Sequence, residues 1–511
     1  MTTAFSRPES PGPKSSLLAR AGSLLPALII GWIGFFWTTR FGLGLENDSP
    51  SFTIPVREAL AGREFIIIHH PPLFPAFIYM LAASGGISVM KAALAVQFAA
   101  LTLLITAVWC QLYWSLKNVL AAGIGSICLA VSFPVTELAG WFGDDLLGTA
   151  WTVWTLVFLY RYLKNQEKRC WLWAAVLGGA LALLTRFAGF AVVWTVSMVV
   201  WFSRGKPWGR DFFRALGAGF IMCLPCGLHV MFNSLAHGNA TDRTFSWNGL
   251  QWDRVRQALE TVASWHLPAF VTTWHTGLLL VIMAIAFLIR THRAKPKNTD
   301  IELLLTIYTA FFALSLLFYI AVIGTFDFGL ALDTRTLLPL VPCSMVFLTI
   351  IAAEIWGILP RLRFILIAIF ALYLGFSWRR SACLYAAYGI LGRGPSAPTY
   401  TQSSLGNFLK AQEKQILVTN NPSFLYNLTG REAIPFPVTR SMLTNKTQDV
   451  TAETTALQKL AIHRPGVFFV VFDTSDNEFR ISWPAVAGQN IMTRCFNDYF
   501  VSVYTIKPPS L

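Results

Sequence analysis

The chain has few charged residues and few cysteines for its length. Only 13% of its 511 residues are charged, whereas 55% are hydrophobic, and the mean hydropathy is +0.54. This composition excludes a disordered polypeptide and an ordinary water-soluble globular protein. The 8 cysteines, set against 40 phenylalanines and 19 tryptophans, likewise exclude a small fold held together by disulfides.

Acidic residues are scarce relative to basic ones. The chain has 26 Asp and Glu against 40 Lys and Arg, which gives a formal net charge of +14. Such an excess is typical either of nucleic-acid binding or of membrane topology. Here the basic residues concentrate in alternate loops between apolar runs, as in 161–169, 204–214 and 290–297. The excess therefore indicates topology, with a cytoplasmic N-terminus, and we expect no nucleic-acid partner.

Long apolar runs are abundant. Most approach the ~20 residues that a helix needs to cross a bilayer, and they predict a polytopic α-helical membrane protein with about eleven transmembrane helices. The runs lie at 22–37, 92–115, 119–136, 146–160, 171–185, 188–202, 215–234, 271–289, 303–323, 337–356 and 364–378. A further apolar segment, 72–83, is too short to span and is predicted to be interfacial or re-entrant.

The runs divide the chain into three parts. Residues 1–21 are predicted to be a cytoplasmic tail, and 22–378 a transmembrane domain with an outer first loop at 39–90. Residues 379–511 are more polar and predict a small soluble α/β domain on the periplasmic or extracellular side. Its predicted strands lie at 415–419 and 466–473, and its predicted helices at 405–412 and 452–462. The protein is thus expected to be a multi-pass protein of the cell (inner) membrane.

Two groups of acidic residues fall in the predicted outer loops. Glu46 and Asp48 lie in the first loop, ahead of Arg57 and His70, and Asp144 and Asp145 precede the fourth apolar run. A carboxylate at a membrane surface can take a proton from a hydroxyl nucleophile, and opposed carboxylates can hold an acceptor or a metal. Taken alone, such loops are more often simply solvated.

Two arginines add weight to a functional interpretation. Arg186 interrupts an apolar stretch, and Arg335 precedes the run 337–356, both on the predicted outer side. A guanidinium there can bind a phosphate through two hydrogen bonds, as an enzyme with a lipid-phosphate donor requires. The alternative for each is interaction with lipid headgroups.

Together these residues resemble the GT-C superfamily of glycosyltransferases that use polyprenyl-phosphate sugars. The most similar branch contains the protein O-mannosyltransferases and the aminoarabinose (lipid A) transferases. In that pattern a first-loop acid is followed by an aromatic residue, by Arg-Glu and by a basic residue before Pro-Pro-Leu. Later in the pattern come a second acid, a basic residue in a helix break and an Arg ahead of Leu-Pro. The matching residues here are Asp48, Phe52, Arg57-Glu58, His70 with 71–73, Asp144 or Asp145, Arg186, and 335–342.

The resemblance implies transfer of a sugar, with inversion, from a polyprenyl-phosphate donor to a lipid, glycan or protein acceptor on the outer face of the membrane. It implies that Asp48 is the catalytic base and that Arg186, Arg335 and Arg57 bind the donor phosphate. Glu46, Asp144, Asp145 and His70 would position the acceptor or the loop. Ser49 stands where many relatives have a second acid, so a divalent cation stays an open question.

A transporter or flippase of lipid-linked sugars is the leading alternative, because eleven apolar runs alone suit one. Transporters tend to show paired repeats and helices broken at mid-span. The sequence shows no such repeat, and its acids lie at the outer interface. Among the cysteines, Cys383 and Cys495 share the predicted outer side, and their spacing leaves open whether they pair.

Overall fold

The computed structural model describes most of the chain. The described residues are 17–45, 48–67, 70–165, 168–202, 209–238, 247, 249, 251–279, 282, 299–323, 325, 332–358, 360–394, 396–437, 449–464, 466–472, 492–498 and 501–506.

Helices build the part of the chain before residue 390. They are α1 (Leu17–Thr38), α2 (Ser49–Leu60), α3 (Leu73–Gly85), α4 (Val89–Leu116), α5 (Val119–Ala130), α6 (Phe133–Ala139), α7 (Asp145–Lys164), α8 (Cys170–Thr185), α9 (Phe190–Phe202), α10 (Arg210–His237), α11 (Trp252–His266), α12 (Thr299–Phe318), α13 (Thr334–Leu337), α14 (Leu340–Ile358) and α15 (Arg363–Ala386). Within the described ranges, six helices are long and apolar enough to cross a membrane, and a bent pair raises the number to seven. The chain is therefore a multi-pass membrane protein.

The predicted apolar runs coincide with helices wherever the structure describes them. Two of the expected spans, α8 with 16 residues and α9 with 13, are shorter than a full crossing. About half of the run 271–289 lies outside the described residues. The count of eleven is therefore seen only in part.

The run 119–136 is not one straight helix. It divides into α5 and α6, whose axes differ by 57°. Ser132 takes the N-cap position of α6, and Pro134 falls in its first turn. Because proline has no N–H to donate to a preceding turn, the chain begins a new helix there.

The short apolar segment at 72–83 forms α3, a helix of 13 residues. It ends at Gly86, which has the left-handed φ of 59°. At about 1.5 Å per residue the helix covers about 20 Å, less than the hydrocarbon thickness of a bilayer. Its length therefore fits the interfacial or re-entrant segment that the sequence predicts.

The last helix of this part, α15, continues past residue 378, where the composition becomes polar. Two contacts hold its later turns against the bundle. The Arg380 guanidinium lies 4.1 Å from the centre of the Phe133 ring, and Ser381 Oγ donates a hydrogen bond to the Val131 carbonyl at 2.8 Å. The helix therefore persists beyond the apolar run because tertiary contacts support its polar residues.

The C-terminal unit combines helices with a mixed five-stranded sheet in the order β2-β1-β3-β5-β4. Strands β1 and β3 are parallel, whereas β5 is antiparallel to both β3 and β4. The elements are α16 (Pro398–Thr401), α17 (Ser404–Lys410), β1 (Ile416–Thr419), α18 (Pro422–Thr429), β2 (Ile434–Pro435), α19 (Thr451–His463), β3 (Val467–Phe472), β4 (Met492–Asp498) and β5 (Val501–Ile506). The predicted strands and helices are therefore present, and the additional elements are α16, α18, β2, β4 and β5.

The main core lies between the helices of the bundle, with α7 at its centre. Leu156 and Tyr160 of α7 are fully buried, as is Leu104 of α4. In contrast, Phe220 of α10 and Phe364 of α15 are mostly exposed, as expected for side chains that face lipid. This arrangement fixes the ends of α4, α7 and α8 close to one another, where the candidate site forms.

Candidate functional site

Asp48 occupies the position just before α2. Its backbone carbonyl accepts a hydrogen bond from Ser51 Oγ at 2.6 Å. Pro50 lies in the first turn of the helix, where the missing N–H costs nothing. The neighbouring Ser49 is fully buried, and its hydroxyl lies 3.4 Å from the Phe142 carbonyl. Ser49 therefore links the first loop to the segment that carries the second acidic pair.

That second pair, Asp144 and Asp145, lies at the start of α7. The acidic side chains are favoured there by the positive end of the helix dipole. The first loop supports this segment through backbone hydrogen bonds, because Gly44 N–H donates to the Gly140 carbonyl at 2.7 Å and Phe142 N–H donates to the Gly44 carbonyl at 2.8 Å. The two acidic loops are therefore joined directly to each other.

Arg186 lies in the break between α8 and α9, where its backbone is extended. Its side chain is only 16% exposed and passes against Gly148 of α7, where an added Cβ would lie 3.3 Å from the arginine side chain. From there it forms an ion pair with Asp145 and places its Nε 3.4 Å from Asp144 Oδ1. It also donates to the Arg335 carbonyl at 3.2 Å.

Arg335 lies in the short helix α13, whose N-cap Asp333 accepts a hydrogen bond from Thr336 N–H at 3.0 Å. Its guanidinium binds two carboxylates. Nη2 lies 2.8 Å from Asp48 Oδ2, and Nε lies 2.9 Å from Asp145 Oδ2. Arg335 therefore connects the first loop to the start of α7.

We call the five residues joined in this way the ionic cluster: Asp48, Asp144, Asp145, Arg186 and Arg335. Asp145 contacts both arginines, one through each carboxylate oxygen. The Asp48 side chain is 41% exposed, whereas the side chains of Asp144 and Asp145 are at most 5% exposed. Asp48 is thus the carboxylate of the cluster that an incoming molecule can reach.

Two carboxyl groups of the cluster, those of Asp48 and Asp144, differ in acidity. Burial raises the pKa of Asp48, but the charges of Arg335, His70 and Arg186 outweigh it and hold the pKa below the ordinary value of 3.8. Burial raises the pKa of Asp144 to about 7. The charge of Arg186 cancels only part of this increase, and the neighbouring charge of Asp145 raises the pKa further. Asp48 is therefore ionised at neutral pH, whereas Asp144 titrates there.

His70 lies beside the cluster. Its Nδ1 is 4.0 Å from Asp144 Oδ2, and its ring centre is 4.4 Å from that of Phe52 on α2. Phe52 and Phe74 pack edge to face at 5.3 Å and are fully buried, which fixes one side of the histidine. The side chain is 16% exposed, so part of the ring stays open to the site.

The remaining residues singled out from the sequence are Arg57, Glu46, Cys383 and Cys495. Arg57 lies in the last turn of α2, and its Nη1 donates to the Tyr426 hydroxyl of the C-terminal unit at 2.8 Å. Glu46 lies outside the described residues. Cys383 and Cys495 are both free thiols.

Two buried polar side chains that were not predicted from the sequence support the site. Gln97 of α4 donates to the carbonyls of Trp141 and Gly143, and Asn233 of α10 donates to the Ile67 carbonyl at 2.8 Å. Each is a polar amide within an apolar run. That pattern is the signal that would have found them, because a polar group in a membrane span needs a partner.

The donor set of the cluster does not fit a resident metal ion. Its carboxylates face guanidinium groups, and the positive charges take the place that a cation would need. In the part of the chain that the structure describes, no group of three or more His, Cys, Asp or Glu side chains converges to hold a metal. The carboxylates of the cluster are therefore engaged by arginine.

Several solved structures have similar folds. ArnT from Cupriavidus metallidurans bound to undecaprenyl phosphate is 12% identical, with a TM-score of 0.61 over 95% of this chain and 98% of that one. An Archaeoglobus fulgidus oligosaccharyltransferase in complex with Zn and sulfate is 12% identical, with a TM-score of 0.51 over 88% and 68%. AglB from the same archaeon, with an inhibitory peptide and a dolichol-phosphate, is 11% identical, with a TM-score of 0.52 over 89% and 70%.

The likeness lies in the fold. No protein-family model matches the chain, and no curated protein matches it by sequence. The match to ArnT nevertheless extends over nearly the whole of both chains, including the C-terminal unit. The GT-C type of membrane fold that the sequence resemblance implies is therefore confirmed for this protein.

Proposed function

We propose that the protein is a glycosyltransferase that moves a sugar from a polyprenyl-phosphate donor to an acceptor nucleophile on the outer face of the cell membrane. The observation that carries the proposal is the ionic cluster. It presents one reachable carboxylate, Asp48, beside two arginines at one end of the helix bundle. Similar structures add support, since ArnT is bound to undecaprenyl phosphate and AglB is in complex with a dolichol-phosphate.

Asp48 acts as the base in this proposal. Its carboxylate takes the proton from the acceptor O–H or N–H as that atom attacks the anomeric carbon of the sugar. The new glycosidic bond forms as the bond from the anomeric carbon to the phosphate oxygen breaks, and the electron pair leaves with the polyprenyl phosphate. A single displacement of this kind inverts the anomeric configuration.

The arginines act on the leaving group. Polyprenyl phosphate is stable as an anion, so the reaction requires no strong acid, and the charge that develops on the phosphate is stabilised by Arg335 and Arg186. Arg335 also controls the basicity of Asp48. The donor phosphate competes with Asp48 for the guanidinium, which weakens the ion pair and raises the basicity of Asp48 when the donor is present.

The other residues of the site hold these groups in place. Asp145 bridges Arg186 and Arg335, and Asp144 and His70 line the side of the cluster next to α2. We propose that they position the acceptor or the loops, as Glu46 would from the first loop. The excess of basic residues in alternate loops supports a cytoplasmic N-terminus and a periplasmic or extracellular C-terminal unit.

The proposal is tested with purified protein in lipid vesicles. A panel of polyprenyl-phosphate sugars, each labelled in the sugar, is supplied with a membrane extract as acceptor. We expect one donor to give covalently transferred label together with an equal amount of free polyprenyl phosphate. Label that crosses the bilayer while still attached to its lipid, with no transfer, would instead identify a flippase.

A further inference from the structure

One contact joins the first-loop helix α2 to the C-terminal unit, away from the ionic cluster. Arg57 Nη1 donates a hydrogen bond to the Tyr426 hydroxyl at 2.8 Å, and the guanidinium carbon lies 5.5 Å from the centre of the tyrosine ring. Tyr426 is only 9% exposed. Arg57 itself is exposed, but a hydrogen bond from a charged donor is one of the stronger kinds.

The tyrosine belongs to a firmly held helix. The Asn421 side chain caps α18 by accepting from Phe424 N–H at 3.1 Å, and Gly430, at φ 72°, ends it. The Phe424 ring packs on Phe472 of β3 at 5.2 Å, and Leu425 is fully buried in the core of the unit. Tyr426 therefore has a fixed position relative to the C-terminal sheet.

The arginine belongs to a helix that sets the position of Asp48. Phe52 and Val56 of α2 are fully buried, so the helix rests on the bundle through one face. Pro55 lies inside the helix and has no N–H to donate to the preceding turn, which weakens the connection between its two halves. The C-terminal half, which carries Arg57, therefore gains from an anchor outside the helix.

Arg57 lies far along α2 from Asp48, the proposed base. Arg57 follows Asp48 by nine positions, and at 1.5 Å per residue this separation corresponds to about 13 Å along the helix axis. Among the described residues, the hydrogen-bond partner of the Arg57 guanidinium is Tyr426. The geometry thus gives this arginine a structural neighbour in the C-terminal unit instead of a place in the cluster.

We propose that Arg57 and Tyr426 form a positioning contact, through which the C-terminal unit holds α2 and keeps Asp48 oriented for transfer. This inference rests on the proposed function. It gives the C-terminal unit a part in the reaction although the cluster contains none of its residues, and it replaces the sequence-based interpretation of Arg57 as a ligand of the donor phosphate.

The test uses full-length protein reconstituted in vesicles and four variants of the contact: Tyr426→Phe, Arg57→Gln, Arg57→Lys and the double variant Arg57→Gln/Tyr426→Phe. Tyr426→Phe removes only the hydroxyl. Arg63→Gln is the matched control, because Arg63 follows α2 in the same loop, is 70% exposed and pairs with Glu58 at 2.6 Å. The readouts are kcat, the KM for the donor, and amide hydrogen exchange in residues 49–60.

A positioning contact predicts that Tyr426→Phe and Arg57→Gln each lower kcat about tenfold, with the donor KM changed less than about twofold. The double variant should be no worse than Arg57→Gln, and Arg57→Lys should recover part of the rate because lysine still donates to the hydroxyl. Amide exchange in 49–60 should rise in Tyr426→Phe, while exchange in 422–429 and the behaviour of Arg63→Gln stay as in the wild type.

Two results would overturn the proposal. Wild-type kinetics and wild-type exchange in Tyr426→Phe would show that the contact positions nothing. A raised donor KM at unchanged kcat in Arg57→Gln would show that Arg57 contacts the donor. If the wild-type protein itself transfers no sugar, the proposed function fails, and the exchange measurement still decides whether Tyr426 holds α2.

Discussion

Asp48 and Arg335, which lie far apart in the sequence, form an ion pair with 2.8 Å between Oδ2 and Nη2. The same guanidinium binds Asp145 through Nε at 2.9 Å. Arg335 is therefore shared between a partly exposed carboxylate and a buried one. Under the proposed function, a donor phosphate that binds Arg335 displaces the exposed partner, because the buried pair is shielded from water and costs more to separate.

Replacing Arg335 by lysine should impair transfer although the charge is kept. A lysine ammonium lacks the planar fork that binds Asp48 and Asp145 together and that matches a phosphate. We expect Arg335→Lys to lower kcat/KM by about 10- to 100-fold, and Arg335→Gln to lower it further. Steady-state kinetics with the active donor measure the effect.

Arg256→Lys serves as the control for the arginine variant. Arg256 lies on α11 with its side chain 57% exposed and pairs with Asp253 at 3.6 Å, an exposed pair of small energetic value. Its replacement should leave the kinetics unchanged. Equal rates for Arg335→Lys and the wild type would remove Arg335 from the catalytic scheme.

Asp144 should make stability depend on pH near neutrality. The folded protein keeps a proton on Asp144 up to about pH 7, whereas an ordinary aspartate releases it near 3.8. The stability contributed by the protonated form is fully present below pH 3.8 and is lost as the pH rises through about 7. The charged groups that determine this are Arg186, Asp145, Arg335 and Asp48, with His70 beside them.

Asp144→Asn isolates that contribution, because asparagine stays neutral at every pH. We expect the melting temperature of the wild-type protein to fall more steeply than that of the variant between pH 5 and pH 8, measured in the same detergent and salt. Parallel curves for the two proteins over this range would show that Asp144 is ionised throughout and that its burial has been offset by its neighbours.

Two glutamines on α4 should respond oppositely to the same substitution. Gln97 donates to the carbonyls of Trp141 and Gly143, so Gln97→Leu leaves two buried carbonyls without that donor and should cost about 1–3 kcal/mol of stability. The side-chain oxygen and nitrogen of buried Gln111 have no hydrogen-bond partner among the described residues, so Gln111→Leu should be neutral or stabilising. Thermal unfolding of both variants measures the difference, and transfer should fall in Gln97→Leu alone.

The two glutamines are expected to differ in their effect on stability because only Gln97 contacts the segment that leads to the ionic cluster. Gln97 supports the segment that ends in Asp144 and Asp145, whereas Gln111 lies towards the other end of the same helix. If both variants lose the same stability, the amide of Gln97 acts as ordinary packing and the support of the acidic segment comes from elsewhere.

Much of the architecture follows from the sequence because the bilayer imposes strong constraints. Apolar runs of span length predict helices without ambiguity, and the strands at 416–419 and 467–472 follow from β-branched and aromatic residues. The break between α5 and α6 was predictable in principle from Ser132 and Pro134, but the apolar run obscured it. The length of α15 was not, because contacts distant in sequence stabilise its last turns.

The individual residues of the site were predictable from the sequence, but the contacts between them were not. Asp145, Arg186 and Arg335 each stand out as a charge next to an apolar run, and Asp48 stands out as an acid in the first outer loop. The structure brings the four residues together. Which carboxylate faces which arginine depends on tertiary packing that no local pattern encodes. The contact of Arg57 with Tyr426 is of the same kind, since nothing around residue 426 marks it as a partner of the first loop.

The most direct test of the central claim is sugar transfer by Asp48→Asn. Asparagine keeps the size of the side chain but cannot accept the proton, so donor binding should survive while the single-turnover rate of transfer falls by about 10²- to 10⁴-fold. Asp253→Asn, an exposed acid on α11, should transfer at the wild-type rate. Retained turnover in purified, correctly folded Asp48→Asn would contradict the account, because another group would then have to remove the proton.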